Sequence, residues 1–160
     1  MEDQAINELL YALDECFDGE GKDGGFFLEP ADPGLFFMLD ALTAEEASSL
    51  IAGMSIANHV YHLIFSLDVF IKRANGDKNF LEVDWNTSWR EHPLNEAEWA
   101  RLKKELVCLR EETASTARDC NASGNDPRLR LVIGLLTHTV FHLGIIRVKF
   151  DELKGTNKTS

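Results

Sequence analysis

Apolar side chains recur every three or four residues in four long segments of this chain, and that spacing constrains its fold more than any other feature. It places such side chains along one face of an α-helix. The segments are 3–17, 56–74, 95–120 and 127–154. No segment convincingly shows the alternation of apolar and polar residues that marks a half-buried strand. The sequence therefore predicts an all-α protein, a four-helix bundle with long connections between helices 1 and 2 and between helices 2 and 3.

Residues typical of helix starts support these boundaries. Thr43 precedes Glu46 by three residues, and Asn95 precedes Glu98 by the same spacing, which is the form of a capping box. The first pair predicts a short extra helix that ends near residue 50. Pro127 follows an aspartate, as expected at the first position of a helix.

The two long connections carry aromatic residues. In the first, Phe26, Phe27 and Leu28 are expected to pack back onto the core. In the second, Trp85 and Trp89 either seal a core edge or line the mouth of a pocket, and the sequence leaves both interpretations open.

A chain of 160 residues suits one domain. We expect that domain to cover residues 1–155 and residues 156–160 to form a disordered tail. The formal net charge of −11 repels polyanions, and the Lys and Arg residues are scattered among carboxylates. We therefore expect no nucleic-acid partner.

The cysteines indicate a reducing compartment. Cys16, Cys108 and Cys120 form no C-x-x-C pair and are odd in number, which argues against a disulfide framework. The acidic N-terminus lacks the form of a signal peptide, and no apolar run reaches the ~18 residues of a membrane span. We therefore expect a cytoplasmic protein with no membrane partner.

Four of the five histidines fall in the two most apolar predicted helices. His138 and His142 lie one helical turn apart, so both imidazoles can face one metal ion. Thr139 stands where the zinc-protease motif H-E-x-x-H has its glutamate, which disfavours a protease of that class. His59 and His62 in the second helix can supply a third ligand. The unperturbed histidine pKa of about 6.5 predicts that protons compete with the metal below that pH.

The helical periodicity alone leaves the third ligand open. At about 100° per residue, His59 falls at the flank of the apolar stripe of its helix and His62 falls further round. Periodicity thus slightly favours His59 as the more buried ring. The two are three residues apart, so both can border one site.

Two stretches resemble those of the DinB/YfiT-like superfamily: SIANHVYHL at residues 55–63 and HTVFHLGIIR at residues 138–147. Shorter segments at 84–89 and 98–99 resemble a subgroup of it. Proteins of this superfamily are four-helix bundles in which one histidine of helix 2 and an H-x-x-x-H pair of helix 4 bind a divalent metal. Their helix-2 histidine comes seven residues after the N-cap and just before Leu or Ile, and His62 fits that position.

The resemblance implies the metal ligands His62, His138 and His142, with His59 as a neighbour that contacts a ligand or as an alternate ligand. It also implies a zinc, nickel or iron ion, an open coordination position and a homodimer. Some members are thiol S-transferases that use low-molecular-weight thiols, so we expect such a transferase or a hydrolase acting on a small molecule.

The alternative is a non-catalytic, stress-related bundle that binds a metal or a ligand. The sequence identifies no catalytic base. The charged residues closest to the histidine motifs, Asp68 and Arg147, are expected to lie at the surface.

Overall fold

The computed structural model describes residues 4–19, 24–89, 93–120 and 126–155. Within these ranges the regular secondary structure is helical, and the β-type pairs are two isolated bridges. The prediction of an all-α protein is therefore confirmed. The predicted disordered tail, 156–160, lies outside the described residues. The α-helices are α1 (Gln4–Asp18), α2 (Leu35–Asp40), α3 (Ala44–Ser48), α4 (Ile56–Ala74), α5 (Glu96–Arg118) and α6 (Pro127–Lys154).

Capping residues fix the helix ends at the predicted positions. Thr43 and Asn95 each form a complete capping box with the glutamate three residues further on. The Ser55 hydroxyl accepts a hydrogen bond from a backbone N–H in the first turn of α4. Pro127 opens α6, and Gly155 ends it in the left-handed conformation with φ of 64°. The capping side chains accept hydrogen bonds from backbone N–H groups that have no partner within the helix, and Gly155 adopts the backbone conformation that ends α6.

Helix α2 is an element that the sequence analysis did not predict, and α3 ends at Ser48, before the expected residue 50. Gly34 precedes α2 and offers no side-chain cap. Leu35, Met38 and Leu39 are buried, but an apolar pattern over six residues is too short to identify as a helix. Tertiary packing therefore decides the structure of this segment.

Helix α4 lies at the centre of the helix packing. It makes its most extensive contacts with α5 and α6, and α1 also packs against both of them. One continuous apolar core draws side chains from α1 through α6. Within it Trp99 of α5 is fully buried, and its indole N–H donates to the Leu42 carbonyl oxygen at 3.1 Å. The indole thus joins α5 to the turn between α2 and α3.

Glu15 holds the first long connection against α1. Its side chain is buried, and its carboxyl oxygens accept hydrogen bonds from the N–H groups of Phe26, Phe27 and Leu28 at 2.8, 2.6 and 2.6 Å. Leu28 is buried, but Phe26 and Phe27 are 60% and 43% exposed, so the prediction that both rings pack onto the core is wrong. Backbone hydrogen bonds to a buried carboxyl group, and not apolar side chains alone, hold this segment.

Gly34 lies where two backbone segments approach too closely for a side chain. A Cβ there would lie 2.2 Å from the Gly19 nitrogen and 2.6 Å from the Phe17 carbonyl oxygen. We expect Gly34→Ala to lower the free energy of unfolding by about 1–3 kcal/mol, the usual cost of overpacking. Urea unfolding followed by circular dichroism measures the change.

The control for this substitution is Gly134→Ala in α6. An added Cβ at Gly134 meets no atom within 4 Å, so alanine should stabilise the helix by about 0.5–1 kcal/mol. Equal stability of Gly34→Ala and the unaltered protein would contradict the close approach of the two backbones.

Helix α6 is long and apolar enough to cross a membrane by length and composition, a property that the search for an unbroken apolar run did not detect. Its most apolar stretch of 18 residues has a mean hydropathy of 1.7, and 39% of that stretch is buried inside the protein. Because the core helix of a soluble protein passes the same test, this property agrees with a soluble protein as well.

Candidate metal centre

Two neighbouring helices bring four histidines together. His59 on α4 lies beside His142 on α6, with ring centroids 5.3 Å apart, and His62 lies beside His138 at 5.2 Å. The later residue of α4 thus lies beside the earlier residue of α6, so the two helices run antiparallel. One side-chain nitrogen each of His62, His138 and His142 lies within 4.8 Å of the others, close enough to hold a metal ion.

His138 carries an unsatisfied polar atom within this cluster. Its Nε2 is buried and has no hydrogen-bond partner in the described structure. A buried polar atom left without a partner costs roughly 1–3 kcal/mol, so such an atom requires an explanation. Coordination of a metal ion would use the lone pair of this nitrogen. The donor set, three imidazoles, also fits a divalent ion.

Ser88 fixes the tautomer of His62. The Ser88 hydroxyl donates its proton to the Trp85 carbonyl oxygen at 2.6 Å. The Ser88 oxygen therefore accepts a hydrogen bond from His62 Nδ1, 2.7 Å away, and Nδ1 carries the proton. That leaves the Nε2 lone pair of His62 available to a metal. Hydrogen bonds of this kind orient metal-binding histidines and set their tautomer.

His59 stands in a similar relation to His142. Their Nδ1 atoms are 3.2 Å apart and buried, so one donates a hydrogen bond and the other accepts it. When His142 Nδ1 is the donor, the Nε2 lone pair of His142 is available to a metal. The geometry thus places His59 beside the three-histidine group and not within it.

Trp89 covers the histidines from the second long connection. Its ring stacks on His62 with centroids 3.9 Å and planes 10° apart, and it meets His59 edge-on at 5.8 Å. Trp85 packs against Phe65 and lies 6.5 Å from His62. Both indoles remain partly exposed. The two tryptophans therefore lie between the histidines and solvent, an arrangement that agrees with both interpretations of the sequence, a sealed core edge and the mouth of a pocket.

Burial keeps the imidazoles neutral at neutral pH. Desolvation lowers the pKa of His59 and His62 to about 4 and that of His142 to about 3, and it also lowers the pKa of His138. Neighbouring charges add to this effect: Lys149 acts on His59, and His138 acts on His62 and His142. Protons should therefore compete with a metal at a lower pH than an unperturbed histidine would set, because all three proposed ligands have a lowered pKa.

Acid should destabilise the metal-free protein between about pH 6.5 and pH 4. In the unfolded chain the histidines take up protons near pH 6.5, whereas in the folded protein His59 and His62 stay neutral down to about pH 4. The unfolded state thus binds more protons in this window. The free energy of unfolding should fall by up to about 1.4 kcal/mol per pH unit for each such histidine.

Urea titrations at a series of pH values measure this slope. The variant with His62, His138 and His142 all changed to alanine serves as the control, because it lacks three of the groups and should lose most of the slope. The same slope in both proteins would assign the acid sensitivity to other groups.

Two charged residues near the histidine motifs take no part in the cluster. Asp68 pairs with Lys72 at 2.6 Å on an exposed part of α4. Arg147 pairs with Asp32 at 3.0 Å. Asp68 thus lies at the surface as predicted, whereas the Arg147 side chain is only 23% exposed in its ion pair, so its predicted exposure is wrong. In the part of the chain that the structure describes, the group that fits a metal consists of histidines alone, and no carboxylate joins it.

Ser88 was not predicted as part of the site, because a serine in a connection 26 residues from His62 carries no periodic signal. The contact between Trp89 and the histidine rings was not predicted either. The only available signal was the aromatic content of that connection, which does not say what the rings touch.

Comparisons with protein-family models, characterised proteins and solved structures find no match for this chain. The resemblance of the histidine motifs to the DinB/YfiT-like superfamily therefore stays a prediction. The function has to be inferred from the site itself.

Proposed function

We propose that this chain is a divalent-metal-binding protein of the DinB/YfiT-like kind, a four-helix bundle made of α1, α4, α5 and α6. His62, His138 and His142 hold the ion, and His59 positions His142. The observation that carries the proposal is the buried, unpartnered Nε2 of His138 within a cluster of neutral imidazoles. The packing of α1 and α4 against both α5 and α6 supports the bundle.

The proposed ion is zinc, nickel or iron. Imidazole nitrogens suit all three, and no thiolate or carboxylate joins the histidine group in the described ranges to favour a softer or a harder metal. Three protein ligands leave one position of a tetrahedral ion open, as in catalytic zinc sites.

The proposed activity is a metal-dependent thiol S-transferase or a hydrolase acting on a small molecule. His62, His138 and His142 would hold the ion, which would supply Lewis-acid chemistry by lowering the pKa of a bound water molecule or thiol. The chain's own residues keep the site in shape: Ser88 holds the proton of His62 on Nδ1, and Trp89 restricts the access of water to the rings. In the transferase, a low-molecular-weight thiol supplies the nucleophile.

A non-catalytic, stress-related metal-binding or ligand-binding bundle is the second candidate. It is favoured by the lack of a carboxylate beside the three histidines among the described residues, because such a group often acts as the general base in hydrolysis. Both candidates place the protein in the cytoplasm, in agreement with its free cysteines.

Thiol conjugation by the metal-loaded protein distinguishes the two candidates. The chain is loaded separately with zinc, nickel or iron(II) and mixed with cysteine, glutathione or coenzyme A and with 1-chloro-2,4-dinitrobenzene. The thiolate displaces chloride, and the absorbance of the thioether gives the rate. For the enzyme we expect a rate above the uncatalysed one with at least one metal, and its loss in His62→Ala. Conjugation at the uncatalysed rate with every metal and every thiol would favour the non-catalytic candidate.

We also propose that two copies of the chain associate through an exposed stripe on α6. Ile133, Phe141 and Val148 are 43%, 63% and 66% exposed, so the described loops leave them largely uncovered. Thr137, Phe141, Gly144 and Val148 are exposed at alternating spacings of four and three residues. This spacing lets the same face of a second helix pack against the first.

The homodimer should persist at low ionic strength. A net charge of −11 per chain opposes association, so apolar burial must hold the two copies together. Sedimentation at low micromolar concentration tests this expectation. Phe141→Glu should produce monomers, whereas the control Phe37→Glu changes a similarly exposed ring on α2 and should leave the dimer intact. A monomeric unaltered chain would contradict the proposal.

A further inference from the structure

A second feature of the molecule lies further along α4 and α6, beyond the histidines. A cleft of about 960 Å³ opens between the C-terminal end of α4 and the N-terminal part of α6. Its volume lies within the range of pockets that bind small organic molecules. Phe70 in its wall lies eight residues from His62, which is about 12 Å along a helix axis. On α6 the lining ends at Gly134, one helical turn before His138, and no histidine is among the described residues that line the cleft.

The charge of this cleft is opposite to that of the chain. Among the described residues of its lining, four are basic, Arg73, Lys78, Arg128 and Arg130, and one is acidic, Asp77. In the whole chain 27 acidic residues outnumber 16 Lys and Arg residues. A concave surface with a local excess of positive charge attracts anions even when the protein as a whole repels them.

Two of these cations have other structural roles. Arg128 forms an ion pair with Asp126 at 2.7 Å and donates to the Asp119 carbonyl oxygen. Arg73 lies in the last turn of α4, where a cation favours the helix dipole. The positive excess available to a ligand therefore comes mainly from Lys78 and Arg130, both exposed. The N-terminus of α6 adds little to this excess, because the Asp126 carboxylate already caps it by accepting the Arg128 backbone N–H.

The rest of the lining is apolar. Phe70, Ala74, Pro127 and Leu131 provide this surface. A ligand that fits both parts of the cleft has an apolar body and one anionic group. We propose that the cleft binds a small amphiphilic acid, a carboxylic acid or a phosphate monoester, with its head group at Lys78 and Arg130. This site does not rest on the metal proposal.

Isothermal titration calorimetry of the full chain with octanoate, octyl phosphate and 1-octanol tests the proposal. We expect saturable, one-to-one binding of at least one of the two acids, and binding of the neutral alcohol at least about tenfold weaker, because it lacks the charge-assisted hydrogen bonds. Preference for octanoate or for octyl phosphate assigns the head group. Equal affinity for octanol, or no saturable binding of either acid, would overturn the proposal.

The variant Lys78→Gln with Arg130→Gln should weaken binding of the acid about tenfold or more. Its matched control, Arg101→Gln with Lys104→Gln, makes the same change in net charge at two exposed positions of α5 that do not line the cleft. That control should bind the acid as the unaltered chain does. An equal loss of affinity in both variants would show that net charge, and not the cleft, attracts the acid, and would also overturn the proposal.

Discussion

The chain in which His62, His138 and His142 are all replaced by alanine should bind no divalent metal, whereas the unaltered chain should hold one ion per polypeptide. The substitutions remove every nitrogen of the group that lies within ligand distance of a common ion. They also remove the unpartnered Nε2 of His138. Mass-spectrometric metal analysis of dialysed protein, purified without a histidine tag, measures the stoichiometry.

Single substitutions separate ligands from the residues that position them. His62→Ala should lose most of the affinity. His59→Ala and Ser88→Ala should each weaken binding by about tenfold to a hundredfold, the usual effect of removing a hydrogen-bond partner of a ligand. Complete loss of metal binding in His59→Ala, with binding retained in His62→Ala, would make His59 the ligand and His62 the positioning residue. A full equivalent of metal in the triple variant, with its helix content unchanged, would reject the site.

Glu15→Ala should lower the free energy of unfolding by about 3 kcal/mol or more. The substitution leaves the N–H groups of Phe26, Phe27 and Leu28 without their acceptor. A buried donor left unpaired costs roughly 1–3 kcal/mol, which applies in full to Leu28, whereas the part-buried N–H groups of Phe26 and Phe27 contribute less. It also leaves a cavity under the connection, because the Glu15 side chain is buried. Chemical denaturation measures the loss.

Two further variants test the reason for that loss. Glu15→Gln keeps an acceptor oxygen of similar shape but turns the other oxygen into a donor, so its stability should lie between those of Glu15→Ala and the unaltered chain. Glu8→Ala changes an exposed glutamate of the same helix and should stay within about 0.5 kcal/mol of the unaltered chain. Equal effects of Glu15→Ala and Glu8→Ala would show that the carboxyl group does not hold the connection.

The helices were predictable because their signals are local. Periodicity identified the four long helices. Asn95 and Pro127 marked the starts of α5 and α6, and Thr43 marked the start of the short α3, by chemistry that acts within one turn. No such signal marks α2, because Gly34 before its first residue has no capping side chain. The exposure of Phe26 and Phe27 depends on the hydrogen bonds to Glu15, which no hydrophobic pattern encodes.

The grouping of the histidines was predictable only in part. The i, i+4 spacing of His138 and His142 places both on one side of α6, and the family resemblance added His62. Periodicity favoured His59 over His62 only slightly as the more buried ring, and the structure explains why: both residues are buried. What distinguishes them is the partner of each Nδ1, Ser88 for His62 and His142 for His59. Those partners come from distant parts of the chain.

The distance along the chain between α4 and α6 also sets an order of events during synthesis. His59 and His142 are separated by 83 positions, so the ribosome completes α4 long before it begins α6. Until then the apolar face of α4 lacks one of its main neighbours, and closing so long a loop costs entropy before its contacts form. A metal ion present during translation therefore meets the two histidines of α4 first. It meets the full cluster only when α6 has emerged.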